Sequence, residues 1–140
     1  MKNKYLYRSL KVIFSLIILL PVVSLIGILL GYDIEPKPEY YTNVEAYYFI
    51  KVLMDSMYIT VINSIVFTVG LILLWTKRVA LASILIFPIT VNVVAFHAFL
   101  DSGLFTGGAL MGNCMLAINL YFFWYHFAQY KSVLAKDIAN

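Results

Sequence analysis

Pro88, Asn92, His97 and Asp101 fall within fourteen residues of one stretch, and the last three are the side chains in this sequence best suited to proton transfer or polar recognition. If that stretch is a helix, His97 and Asp101 stand at i and i+4, close enough for an imidazole–carboxylate hydrogen bond. Such a pair can relay a proton, orient the polar head of an amphipathic ligand, or serve only as a staple at the membrane interface. Asn92 lies five residues before His97, about 140° away round the helix, so the two cannot converge on one narrow site without distortion. It shares a face with Pro88, which leaves the carbonyl of Ile84 without its helical donor. An amide near the middle of an apolar helix requires a partner, and Asn63 or Asn119 is expected to supply one. The candidate ligand-binding residues are therefore Asn92, Phe96, His97 and Asp101. No catalytic set and no metal set is expected.

Further polar positions recur at helical spacing. Ser56, Asn63 and Gly70 stand at i, i+7 and i+14, with Thr60 flanking, and this stripe is expected to face inward. Gly108, Gly112, Asn119 and His126 repeat the device, and Gly108 with Gly112 forms a small-xxx-small pair that admits another backbone. Helix packing and a polar core account for Asn63, Gly70, Pro88, Gly108, Gly112 and Asn119. Cys114 is the only cysteine, which excludes an intramolecular disulfide, and its apolar neighbours suit a packed thiol. Phosphate-loop, nucleophile-elbow and zinc-hydrolase motifs are absent. His97 and His126 belong to different stretches expected near opposite membrane faces, so they cannot share a metal or haem. No cofactor is expected beyond a quinone or a lipid.

The elements that must hold these residues are four charge-free stretches, Val12–Tyr32, Ser56–Thr76, Val79–Leu100 and Ser102–Tyr130, in a chain of 140 residues that is 63% hydrophobic and 12% charged. A hydrocarbon layer about 30 Å thick takes roughly 20 helical residues per crossing. The expected fold is all-α, a four-helix transmembrane bundle forming a single membrane domain over 1–140, with helices near 10–32, 51–76, 79–100 and 107–132 and a polar loop at 33–50. Lys2, Lys4, Arg8 and Lys11 before the first stretch resemble a secretory signal, but its apolar run of about 20 residues exceeds the usual h-region, and a retained helix is expected. The segment Asp33–Asp55 is net acidic; Pro36 and Pro38 stop a helix there, and an amphipathic helix is expected from Asn43 onward. Tyr40, Tyr41, Tyr47 and Tyr48 suit the headgroup layer.

Charge then sets orientation. Lys77 and Arg78 form a tight basic turn, Lys131 and Lys136 mark the tail, and the turn at Asp101, Ser102 and Gly103 is acidic. The expectation is N-in and C-in, with an extracytoplasmic loop between the first two helices and Trp75, Trp124, Tyr125 and Tyr130 at the inner interface. The net charge is +3, yet the ten basic residues are spread among segment ends and form no nucleic-acid-binding face.

The run Gly70 to Asp101 resembles the central signature of DoxX-like membrane proteins: a glycine and leucines closing one helix, a short basic turn, an alanine–leucine run, then Pro-x-x-x-Asn-x-x-x-Phe-His on the next. The matching residues are Gly70, Leu73, Leu74, Arg78, Ala80, Leu81, Pro88, Asn92, Phe96 and His97, with weaker similarity through Ala46, Phe49, Leu53 and Tyr58 and through Asn119, Tyr121 and Tyr130. Members often carry a glutamate in the second helix, whereas Ser64 to Val69 here has no acid. The resemblance implies a four-helix protein of a bacterial inner membrane, associated with quinone-linked or sulfur-redox complexes. The expected role is a non-catalytic subunit or partner of such a complex, homo-oligomers included. The alternatives are a quinone- or lipid-binding protein whose pocket lies in the outer half, with Phe99 and Phe105 joining Phe96 around the ligand, and a small transporter.

Overall fold

The computed structural model describes residues 3–101 and 103–134; Lys2, Ser102 and Lys136, used above, lie outside the described residues. Helix α1 (Lys4–Leu29) starts at Asn3, whose Oδ1 accepts the N–H groups of Tyr5 and Leu6 at 3.0 and 3.2 Å. It ends where Gly31, at φ +86°, reverses the chain; Tyr32 N–H then donates to the Gly27 carbonyl and Gly31 N–H to that of Ile28, both at 3.0 Å. After one 3₁₀ turn (Pro38–Tyr40), α2 (Val44–Asp55) is capped by Asn43. Helix α3 (Tyr58–Trp75) and α4 (Val79–Phe99) form a hairpin, followed by α5 (Gly107–Tyr125), capped by Thr106, and by the short α6 (Phe127–Leu134).

Helix α1 packs on α3, α3 on α4, α4 on α5, and α5 returns to α1. Phe14 and Ile18 of α1, Phe67 and Leu74 of α3, Val79, Ala82 and Ile86 of α4, and Met115, Ile118 and Phe122 of α5 build the shared core. Outside it the chain is as apolar as within: Leu16, Leu20, Val23 and Ile26 of α1 are each more than half exposed. Surface of that kind is stable in contact with lipid tails and unstable in water. Three helices, Lys4–Leu29, Tyr58–Trp75 and Val79–Phe99, are long and apolar enough to cross a membrane, which marks the chain as a membrane protein. The 19-residue α5 is not among the three; Asn113 and Asn119 interrupt its apolar run.

Several boundaries differ from those expected. The helix expected over 51–76 is broken at Ser56 and Met57: Ser56 Oγ turns back to the Leu53 carbonyl at 2.8 Å, and Met57 adopts φ +61°, a left-handed conformation costing a non-glycine residue about 1 kcal/mol. The helix expected from Asn43 onward is α2, so the polar loop given as 33–50 ends at Asn43. The helix expected over 107–132 breaks at His126, and α6 folds back so that buried Tyr130 donates its hydroxyl to the Ala80 carbonyl at 2.9 Å. The turn at Lys77 and Arg78 is as tight as its length implies, with Lys77 at φ +65° and Arg78 N–H donating to the Leu73 carbonyl at 3.0 Å.

Candidate functional site

The sequence-predicted residues separate into two sets on opposite sides of α4. The buried stripe of this helix runs through Val79, Ala82, Ser83, Ile86 and Thr90, and continued at helical spacing it reaches His97. Pro88 and Asn92 lie on the other side and are exposed, together with Leu81, Ile84, Val91 and Phe99. The expectation that Asn92 turns inward to Asn63 or Asn119 is thus corrected. Small residues decide the inward face, because Ala82, Ser83 and Thr90 let α4 approach its neighbours, and the angle between Thr90 and Asn92 then carries the amide outward.

His97 and Asp101 do meet. His97 Nδ1 lies 3.0 Å from Asp101 Oδ2, and Asp101 is only 1% exposed. Its other oxygen accepts the backbone N–H of Thr42 at 2.9 Å, fifty-nine residues away, which ties the segment after the 3₁₀ turn to the end of α4. An ionised carboxylate only accepts, so this geometry puts the imidazole proton on Nδ1. The backbone closes the same corner: Gly103 N–H donates to the His97 carbonyl at 2.9 Å. The far edge of the imidazole rests on α5, where a methyl group added at Gly108 would sit 3.1 Å from His97 Cε1. One at Gly112 would sit 2.8 Å from Val93 Cγ1, so the glycine pair admits α4 against α5.

Aromatic rings seal this corner. Phe96 stacks on Phe49 with centroids 6.0 Å apart and takes the edge of Tyr41 at 6.3 Å. Burial of Tyr41, and then the negative charge of Asp101, push the Tyr41 hydroxyl above its ordinary pKa. Phe99 and Phe105, expected to join Phe96 around a ligand, are instead 87% and 101% exposed and point away from the cluster. The arrangement therefore works as a clamp between the α1–α2 connection, α4 and α5. Nε2 of His97 makes no hydrogen bond among the described residues.

The other singled-out residues are scattered. Gly70 is buried against Ile86 of α4, Asn63 is half-buried, and Ser56 is exposed at the α2–α3 break, so that stripe faces inward only in part. Asn119 is fully buried, with neither amide atom hydrogen-bonded among the described residues. Cys114 is exposed, not packed, because the buried stripe of α5 runs through Gly112, Met115, Ile118 and Asn119. His126 stands at the opposite end from His97, its Nε2 3.0 Å from the Tyr7 hydroxyl. Among the described residues no three His, Cys, Asp or Glu side chains are grouped to hold a metal. Sequence reasoning missed Thr42, whose contribution is a backbone N–H, and Tyr41 and Phe49, which carry no motif. Compared with known proteins, the chain matches no family model, no curated protein and no solved structure.

Proposed function

We propose that this chain is a non-catalytic subunit of a bacterial inner-membrane assembly, built as a DoxX-like four-helix protein with α1, α3, α4 and α5 as its crossings and both termini in the cytoplasm. The observation that carries the reading is Asn92. Its amide is exposed a little beyond the midpoint of the apolar α4 and bonds to nothing among the described residues. Left in hydrocarbon, an unpaired amide is unfavourable by several kcal/mol, and a partner helix presenting an amide, hydroxyl or free carbonyl removes that penalty. A redox complex in the membrane is the partner that the DoxX-like resemblance favours. The clamp at His97 supports the same reading over a quinone pocket, since both oxygens of Asp101 are already engaged, Phe96 is packed against Phe49 and Tyr41, and Phe99 and Phe105 point outward. Transport is the weakest reading, because few polar side chains are buried among the described residues: Ser64, Ser83, Thr90, Asp101 and Asn119.

The test is isolation of the chain in a mild detergent with Asn92 as Asn, Gln or Leu. Asn92→Leu is expected to release a constant membrane partner while helicity and melting temperature hold, and Asn92→Gln to retain part of it. A chain that runs as monomer in every detergent, with Asn92→Leu indistinguishable, would overturn the proposal. Self-association through the same face would make the partner a second copy.

A further inference from the structure

We infer that the end of the molecule opposite the clamp binds the headgroup of an anionic phospholipid. Lys4, Arg8 and Lys11 are spaced i, i+4 and i+7 on α1, and with Tyr7, Val12, Trp75 and Tyr125 they line an open groove of about 780 Å³. None of the three cations has a carboxylate within 4 Å among the described residues. The aromatic wall is fixed. Trp75 donates its indole N–H to Ser15 Oγ at 3.1 Å and offers its face to Lys11 Nζ, 4.3 Å from the ring centroid. Tyr7 is tied to His126 at 3.0 Å and packs on the Tyr125 ring at 4.4 Å. Three cations without a carboxylate partner among the described residues, beside rigid amphipathic rings, suit a phosphate group at the membrane interface.

What singles out a lipid over a free anion is the surface that follows. The flank of α1 carrying Lys4, Arg8 and Lys11 continues through exposed Val12, Leu16, Leu19 and Val23. At 1.5 Å per residue, Val12 to Val23 spans about 16 Å, roughly half of a 30 Å hydrocarbon layer. Cations followed by one leaflet's depth of apolar surface match a phosphate followed by an acyl chain.

The test is binding of the detergent-solubilised full chain to phosphatidylglycerol, measured by native mass spectrometry and thermal shift. The comparison arms are phosphatidylcholine and inorganic phosphate, and the variants are Lys4→Gln/Arg8→Gln/Lys11→Gln and Lys77→Gln/Arg78→Gln. The second pair lies at the same end but does not line the groove. Phosphatidylglycerol is expected to bind in preference to phosphatidylcholine, with affinity falling on the order of 100-fold in the triple variant and little in the double variant. A triple variant that misfolds is replaced by Arg8→Gln, for which roughly a fivefold loss is expected. Equal binding of both lipids, equal binding of inorganic phosphate, or equal losses in the triple and double variants would overturn the inference.

Discussion

At the Asp101 end, the one buried charge among the described residues is engaged within the fold: Asp101 holds His97 and Thr42, and nearby Lys51 lies 3.7 Å from both Glu35 and Asp55. At the Lys4 end, Lys4, Arg8 and Lys11 face an open groove and have no carboxylate within 4 Å among the described residues. The difference separates two uses of charge in a chain with little of it. A buried carboxylate that organises three segments is part of the architecture, and removing it leaves donors unsatisfied. Solvent-facing cations contribute little to folding and are available to something outside the chain. Even within the closed end the contributions are graded: the Lys51 pairs are long and exposed, so although Asp55 and then Glu35 raise the Lys51 pKa, they matter far less than Asp101.

The largest effect is expected at Asp101. Asp101→Ala removes a buried acceptor and with it two part-buried hydrogen bonds, and a loss of about 2 kcal/mol is expected in detergent unfolding. A loss below about 1 kcal/mol would mean that the corner is not closed by this carboxylate. Next come the glycines. Gly112→Ala brings a methyl to 2.8 Å from Val93 Cγ1, directly on the branch of a stiff side chain, whereas Gly70→Ala brings one to 2.6 Å from the terminal Cδ1 of Ile86 and 3.0 Å from its Cγ1. The first is expected to destabilise by about 1 kcal/mol net of the gain in helix propensity, and the second by less, because the end of Ile86 gives way more readily than the branch of Val93. Similar melting temperatures for both variants would show that the α4–α5 contact at the clamp is no tighter than the α3–α4 contact.

Asn119→Leu sharpens the comparison from inside the core. It replaces a buried amide without partners by an apolar group of similar size, and stabilisation of about 1 kcal/mol is expected. Marked destabilisation would show that the amide has a bound partner. The smallest effect concerns pH. Burial, then the charge of Asp101, raise the Tyr41 pKa in the folded chain, so the folded state holds this proton more tightly than the unfolded state. The associated stability is fully present below the ordinary tyrosine value near 10 and is lost as pH rises through the higher folded value. Melting curves across that alkaline range should decline in the parent chain and flatten in Tyr41→Phe; parallel curves would remove Tyr41 from the clamp.

Much of this architecture is legible in the sequence. Of the four apolar runs, three form helices long and apolar enough to cross a membrane, the basic pair at Lys77 and Arg78 marks the hairpin turn, and the i, i+4 spacing of His97 and Asp101 anticipates their contact. The face of α4 was harder to read, because the helix is apolar all round and offers no amphipathic contrast. The informative signal was the small and polar series Ser83, Thr90 and His97 at seven-residue spacing, which outweighs a lone Asn92. The breaks at Met57 and His126 have no glycine or proline to announce them. The Thr42 N–H depends on a contact across fifty-nine residues, beyond any local pattern.

One measurement sets the two ends directly against each other: the melting temperature of the parent, Asp101→Ala and Lys4→Gln/Arg8→Gln/Lys11→Gln chains in detergent, with and without added phosphatidylglycerol. Asp101→Ala should melt several degrees below the parent in both conditions and keep the rise that the lipid produces. The triple variant should melt close to the parent without lipid and lose that rise. A triple variant that melts far below the parent without lipid, or an Asp101→Ala chain as stable as the parent, would contradict the division of a closed end from an open one.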